Sequence, residues 1–244
     1  MDGTTVVFLV AMGIFFLVFA IVIVVSVLSP KKENPKLAEW ALRNDAKYEM
    51  ENKALATRWK DTPFDIPNWV SDILYGRTRQ YNPYTAFILM TSPGDTARLH
   101  VVTVLRLPGS VPELIVTKAR KGLGAKIAKA IGEQDIELGY LAFDQRYLVQ
   151  GDALFARRLL TPAVMEWLMG PGSSLIPLRF TGVDLICWTP GEKVTANLLE
   201  RLELMEQFIS LLPSDIWHTP SLDPPNLDPL VTDPQPIWEQ PRFE

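Results

Sequence analysis

Five basic residues lie between positions 118 and 129. They are Lys118, Arg120, Lys121, Lys126 and Lys129, and no acidic residue interrupts them. Such a cluster suits contact with anionic lipid headgroups if the domain lies beside a membrane. The alternative is the solvated side of a short helix and its loop. No aromatic residue alternates with these charges, so nucleic acid is not expected as a ligand.

Residues with other chemistry are few and isolated. Gly122 and Gly124 precede Lys126 but lack the Lys-Ser/Thr ending of a phosphate loop and the third glycine of a dinucleotide fingerprint. Cys187 lies in an apolar run, where a thiol is usually buried and inert. His100 opens a strand-like run, so we expect a surface or hydrogen-bonded histidine there. We therefore predict no catalytic residue, no metal site, no cofactor and no enzyme activity.

The first 28 residues contain an apolar run long enough to cross a membrane. Residues 6–28 read VVFLVAMGIFFLVFAIVIVVSVL and carry no charge. At about 1.5 Å per residue they would cover about 34 Å, more than a hydrocarbon core of about 30 Å. No Lys or Arg precedes the run and no small-residue cleavage site follows it, so it is predicted to be an anchor rather than a signal peptide. No ionisable residue inside it suggests an ion path.

The charges around this run predict its orientation. Lys31, Lys32 and Lys36 follow it, whereas residues 1–5 contain no basic residue. Lys and Arg stay on the cytoplasmic side, so we expect a single-pass plasma-membrane protein with a short outer amino terminus and a cytoplasmic domain. The inverted topology remains the alternative, because Glu33 dilutes the basic cluster. The three lysines are also predicted to contact lipid headgroups.

The rest of the chain predicts one α+β domain on a helical stalk. Residues 29–61 are assigned to the stalk, and a continuous helix is predicted over 35–59, because positions 36–59 contain no Gly or Pro and are rich in helix formers. Residues 62–212 contain several β-rich runs closed by Pro-Gly pairs, among them 99–107 before Pro108-Gly109, then 113–118, and a hairpin over 175–191 with Gly182 at or near its turn. Helices are predicted over 122–132, after Asp152 as the N-cap and over 193–212, and they do not alternate regularly with the strands. This arrangement predicts a largely antiparallel sheet with packed helices. Asp144 is expected to make a turn or cap contact.

The last segment, residues 213–244, has a different composition. It holds eight of the 20 prolines, and six acidic side chains face one Arg, a balance of 1 − 6 = −5 in a chain of net charge −4. Such a segment is predicted to be an extended tail without regular structure.

An Ile-Trp-x-x-Pro pattern occurs twice in this tail. The residues are Ile216, Trp217 and Pro220, then Ile237, Trp238 and Pro241. Large apolar residues in a proline-rich arm are suited to docking on a partner, with Trp as the anchor. In the alternative, both tryptophans pack back on their own domain.

Three segments resemble a known group of sequences. They are HVVTVLRLPGSVPELIV (100–116), the stretch 138–169 with FDQRYLV and LLTP, and FTGVDLICWTPG with the helix after it. Their order resembles a family of uncharacterised single-pass membrane proteins of actinobacteria. The resemblance covers about 60–212 and rests on packing and turn residues, which specify fold rather than chemistry. It implies no catalytic residue.

These observations favour a non-enzymatic accessory protein that contacts a larger plasma-membrane assembly. The actinobacterial resemblance makes a respiratory supercomplex one candidate host. The alternative is a membrane-tethered module that binds an anionic lipid headgroup or a small ligand. An enzyme remains the third hypothesis.

Overall fold

The computed structural model describes Met12 and residues 33–60, 63–64, 68–92, 97–119 and 135–218. Residues 1–35 and 36–244 are two compact units, and the fold below belongs to the second. The described residues contain no helix long and apolar enough to cross a membrane. Apart from Met12, the predicted span 6–28 lies outside them, and so do the predicted helix over 122–132 and the tail beyond residue 218.

The described strands form one antiparallel sheet. They are β1 (Lys47–Glu51), β2 (Asn68–Arg77), β3 (Pro83–Thr91), β4 (Arg98–Lys118), β5 (Tyr147–Gly151) and β6 (Leu178–Pro190). The first five follow the order β1-β2-β3-β4-β5, and β6 pairs with β4. All five pairings are antiparallel, as predicted. The turn predicted at Pro108-Gly109 is wrong, because β4 continues through these two residues.

Most of the helices pack on one face of this sheet, and one packs on the other. They are α1 (Pro35–Arg43), α2 (Lys53–Thr57), α3 (Leu141–Asp144), α4 (Ala153–Leu159), α5 (Pro162–Met169) and α6 (Leu198–Leu211), with 3-10 turns at Pro171–Leu175 and Ser214–His218. All except α2 and α3 contribute aliphatic residues to the larger core, and Phe143 of α3 joins them. The opposite face carries a second, smaller core under α2 and the residues after it.

The α+β prediction with a large antiparallel sheet is confirmed, but the continuous helix predicted over 35–59 is wrong. Helix α1 ends at Arg43, and Asp45 adopts a left-handed backbone (φ 51°). The next residues form β1, which joins the sheet edge beside β2. The Asn52 side chain then accepts from the amides of Ala54 and Leu55 at 3.0 and 3.2 Å and caps α2. The sheet therefore begins well before the predicted domain start at residue 62.

Strand β6 folds back on itself near Gly182. The Trp188 amide donates to the Pro177 carbonyl at 3.4 Å, although a straight strand would separate the two by about 36 Å. Gly182 has φ 56°, a left-handed backbone that glycine adopts without strain, and it lies at the bend. The hairpin of two strands predicted at this position is nevertheless wrong. β6 is one strand from Leu178 to Pro190 that pairs with β4 along its length, with register shifts between Arg106 and Leu114, so Gly182 marks a bend within a strand.

Two predicted helix boundaries have clear causes. Asp152 accepts from the Phe155 amide at 2.7 Å and caps α4, as expected. Helix α6 begins at Leu198 rather than at the predicted residue 193, because Asn197 has a left-handed backbone (φ 53°).

Candidate interaction surface

Asp184 of β6 is the centre of a buried polar contact on the sheet face under α2. Its Oδ2 accepts from Arg58 Nη2 at 3.0 Å and from Trp59 Nε1 at 3.1 Å. The Asp184 side chain is only 8% exposed. The Arg58 guanidinium lies 5.0 Å from the Trp59 ring centroid, and the Trp59 ring stacks on Phe87. These contacts hold residues 58–60, the segment after α2, on the sheet.

Arg179 makes a comparable contact further along the same strand. It is 2% exposed and bonds both the Lys60 carbonyl and the Glu113 carboxylate. Arg179 and Asp184 therefore both bind the segment around residues 58–60, one as donor and one as acceptor. Buried charges of this kind must be paired, and here the pairing joins β6 to its cover.

Arg201 of α6 packs over two threonines on the helix-covered face. Its guanidinium donates to Thr103 Oγ1 at 3.2 Å and to Thr189 Oγ1 at 3.0 Å. Burial lowers the pKa of Arg201, and the nearby Cys187 opposes this shift. Burial likewise raises the pKa of Cys187 to about 12, so the thiol is protonated and unreactive, as predicted.

The connection between β2 and β3 forms a closed, well-bonded loop. We call residues 77–82 the hairpin tip. The Thr78 amide donates to the Asn82 carbonyl at 2.9 Å, and the Tyr81 amide donates to the Thr78 carbonyl at 2.9 Å. The Asn82 amide also donates to Thr78 Oγ1 at 3.1 Å, and Arg77 Nη1 donates to the Tyr81 carbonyl at 3.1 Å. Four hydrogen bonds thus fix a six-residue turn.

Glu206 of α6 binds the side of the hairpin tip that faces the helices. Its Oε1 accepts from the Thr78 hydroxyl and from Asn82 Nδ2, the latter at 3.2 Å. Glu206 is 6% exposed, so both bonds are shielded from water. The tip is therefore attached to the helix layer as well as to the sheet.

The side of the hairpin tip that faces the solvent carries exposed side chains, and we call it the upper side. Tyr81 is 78% exposed and has a left-handed backbone (φ 63°), a conformation that is uncommon for a bulky residue. Arg79 Nη1 lies 2.9 Å from Glu203 Oε1, and their side chains are 84% and 46% exposed. A rigid turn that presents an aromatic ring and an arginine has the composition of a protein-binding surface.

The first Ile-Trp pair lies against the parent domain. Ile216 is 1% exposed within the larger core, and Trp217 is partly buried against it. A side chain at Gly109 would meet the Trp217 carbonyl oxygen at 2.6 Å, so glycine allows this close approach. Ile216 and Trp217 thus pack on their own domain, as in the alternative that the sequence left open, and their predicted contact with a partner stays a prediction.

Few of the other predicted contact residues are described. Lys36 lies at the start of α1 and Lys118 at the end of β4, and both are exposed. The rest lie outside the described residues: Lys31, Lys32, Arg120, Lys121, Lys126, Lys129, Pro220, Ile237, Trp238 and Pro241. Their predicted contacts with lipid or partner stay predictions.

His100 lies in partly buried surroundings near Arg98, and Asp144 binds a backbone amide. Burial and the charge of Arg98 lower the pKa of His100, so the imidazole is held in its neutral form. Asp144 Oδ1 accepts from the Leu138 amide at 3.3 Å, which is the turn contact expected for it. Among the described residues, no group of three or more His, Cys, Asp or Glu side chains is placed to hold a metal ion.

The sequence did not identify the hairpin tip as a contact surface, although the segment contains one turn signal. The stretch RTRQYNP lies between two β-rich runs and contains an Asn-Pro pair that is typical of turns. Nothing in the local sequence identifies Glu206, because it follows 124 residues after Asn82.

Comparisons with known proteins add one distant likeness. No protein-family model and no curated protein matches the chain. Among solved structures, the fold is similar to the mycobacterial trehalose monomycolate transport factor A, TtfA. The TM-score is 0.49 at 16% identity, and the match covers 72% of this chain and 94% of that one.

Proposed function

We propose that this chain is a non-enzymatic membrane accessory protein that contacts a partner protein through its hairpin tip. The observation that carries the proposal is the combination of a tip fixed by the buried Glu206 with exposed Tyr81 and Arg79. A rigid surface loses little conformational entropy on association, so a small number of side chains can contribute to affinity.

The uncharged run over 6–28 supports the membrane part of the proposal. In the proposed arrangement it anchors the chain by a single helix, and the α+β domain lies in the cytoplasm beside a larger plasma-membrane assembly. A respiratory supercomplex remains a candidate host because of the actinobacterial resemblance.

The buried charges of the domain support a scaffold role. Asp184 and Arg179 fasten the segment after α2, and Glu206 fastens the hairpin tip. Each of these groups joins elements that are distant in sequence, so each contributes to a fixed surface.

Purification of the full-length chain from its native membrane in a mild detergent tests this proposal. We expect a membrane protein to co-purify in fixed stoichiometry, and the double variant Arg79→Glu/Tyr81→Ala to lose it. The matched control is Arg158→Glu/Leu154→Ala. Arg158 pairs with Asp215 at 2.9 Å and Leu154 is 77% exposed, so this control removes a similar ion pair and a similar apolar side chain elsewhere.

Two outcomes contradict the proposal. In the first, the chain always elutes as a free monomer. In the second, the control variant and the tip variant lose the partner equally.

The alternative function is a membrane-tethered module for anionic lipid headgroups. Its described support is the exposed Lys118, the first residue of the basic cluster over 118–129. Flotation of the chain with anionic and neutral liposomes tests it. If Lys118→Ala together with Arg120→Ala, Lys121→Ala and Lys126→Ala leaves flotation unchanged, the lipid module loses its main support.

A further inference from the structure

Arg79 and Glu203 form an ion pair that a partner could open at little cost. The pair joins the hairpin tip to α6 across 2.9 Å, with side chains 84% and 46% exposed. Water and salt screen a pair of this kind, so it is expected to contribute little to the stability of the fold. The tip does not depend on it, because Glu206 already binds Thr78 and Asn82 on the side that faces the helices.

The position of Glu203 indicates what Arg79 is able to bind. A carboxylate oxygen already sits at hydrogen-bonding distance from Arg79 Nη1, so the guanidinium is oriented for a carboxylate. Arginine presents a planar fork that suits carboxylate groups, unlike the point charge of lysine. Tyr81 presents a largely exposed ring two residues along the same turn.

From this geometry we infer that the hairpin tip binds an acidic segment of a separate partner protein. A partner carboxylate replaces Glu203 on Arg79, and an apolar side chain next to that carboxylate packs on the Tyr81 ring. The inference rests on the proposed function and names the chemistry of its partner. Arg and Tyr are the residue types enriched in protein interfaces, whereas lipid-binding patches are clusters of several basic residues.

Photo-cross-linking of the full chain in its native membrane tests the inference. A photoreactive phenylalanine analogue at the exposed Gln80 leaves Arg79 and Tyr81 in place. At sub-saturating occupancy, Arg79→Glu is expected to lower the yield of the protein adduct at least about 10-fold. Glu203→Ala is expected to raise it about 2- to 5-fold, because it removes the competing carboxylate.

The opposite signs of these two variants distinguish binding from stability. If the ion pair only stabilised the fold, losing either partner would lower the yield in the same direction. Arg158→Glu, which breaks the matched pair with Asp215, is expected to leave the yield unchanged. Sequencing of the cross-linked peptide is expected to find Asp or Glu beside the attachment point.

Three results overturn the inference. In the first, Arg79→Glu and Glu203→Ala change the adduct in the same direction or not at all. In the second, the cross-linked peptide carries no acidic residue. In the third, no protein adduct forms and the chain instead floats with phosphatidylglycerol vesicles in an Arg79-dependent manner. A protein that co-purifies although the adduct is insensitive to both variants refutes this inference alone, whereas failure of co-purification refutes the proposed function.

Discussion

The Asp184 contact and the hairpin tip use the same kinds of side chain for different purposes. At Asp184, an arginine and a tryptophan are both turned inward, and the carboxylate that joins them is 8% exposed. At the tip, the inward bonds are made by Glu206, while Arg79 and Tyr81 face the solvent. Charge that is buried and paired fixes structure, whereas charge on a fixed but exposed turn remains accessible to a partner.

Because of this difference, we expect the Asp184 contact to determine the stability of the fold and the hairpin tip to determine partner binding. Substitutions at Asp184 are expected to lower the free energy of unfolding. Substitutions on the upper side of the tip are expected to change partner binding with little effect on folding.

The largest expected effect is that of Asp184→Ala. The variant removes the carboxylate that accepts from the partly buried Arg58 guanidinium and from the buried Trp59 indole N–H, so we expect the free energy of unfolding to fall by about 3 kcal/mol. Chemical denaturation followed by tryptophan fluorescence measures it. Asp184→Asn, which keeps an oxygen acceptor, is expected to lose less. Equal stability of Asp184→Ala and the unmodified chain would show that this contact does not fasten the segment after α2.

Glu206→Ala is expected to have the second largest effect and to act on the tip. The Thr78 hydroxyl and the Asn82 amide lose a shielded acceptor, at a cost of about 2–3 kcal/mol. Amide hydrogen exchange of residues 78–82 is expected to accelerate. Glu203→Ala on the same helix is the matched control, because Glu203 is exposed and bonds only the upper side of the tip. If exchange at the tip is unaffected by Glu206→Ala, the tip does not depend on its buried support.

His100→Gln gives a smaller effect that depends on pH. Burial and then Arg98 lower the pKa of His100 in the folded chain below its unfolded value of about 6.5. The unfolded chain therefore binds a proton more readily, and stability is lost as the pH falls through about 6.5 towards the folded pKa. We expect the loss of thermal stability between about pH 7.5 and about pH 5.5 to be smaller in the variant. An identical pH dependence in both proteins would remove His100 as a cause.

The two regions also differ in how much of them the sequence predicts. Strand β3 follows from its β-rich run, whereas β4 continues through Pro108-Gly109 and β6 continues through Gly182, where the sequence predicted turns. The continuous stalk helix was a wrong prediction. It rested on the high helix propensity of residues 36–59 and gave too little weight to Asn44 and Asp45, which favour a turn, and to Asn52, which caps a new helix. Sheet pairing with β2, a long-range interaction, then converted the middle of this segment into β1.

The contact residues were predicted less well than the fold. The sequence identifies Ile216 and Trp217 as large apolar side chains, but the burial of Ile216 in the core and the approach of Trp217 to Gly109 depend on the three-dimensional arrangement. The tip was missed because its support, Glu206, comes from a helix 124 residues away from Asn82. Local patterns contain strand and turn signals, whereas the pairing of distant polar groups is decided by packing.

The most direct test of these separate roles in stability and partner binding is Tyr81→Asn. Tyr81 has φ 63°, and asparagine adopts that region more readily, so we expect the free energy of unfolding to stay constant or rise by up to about 1 kcal/mol. Because the exposed ring is lost, we expect the co-purified partner to be lost as well. Both quantities are measured on the same full-length preparation. Loss of the partner at unchanged or higher stability is the predicted result, and a partner retained in full, or lost only in proportion to a fall in stability, would contradict it.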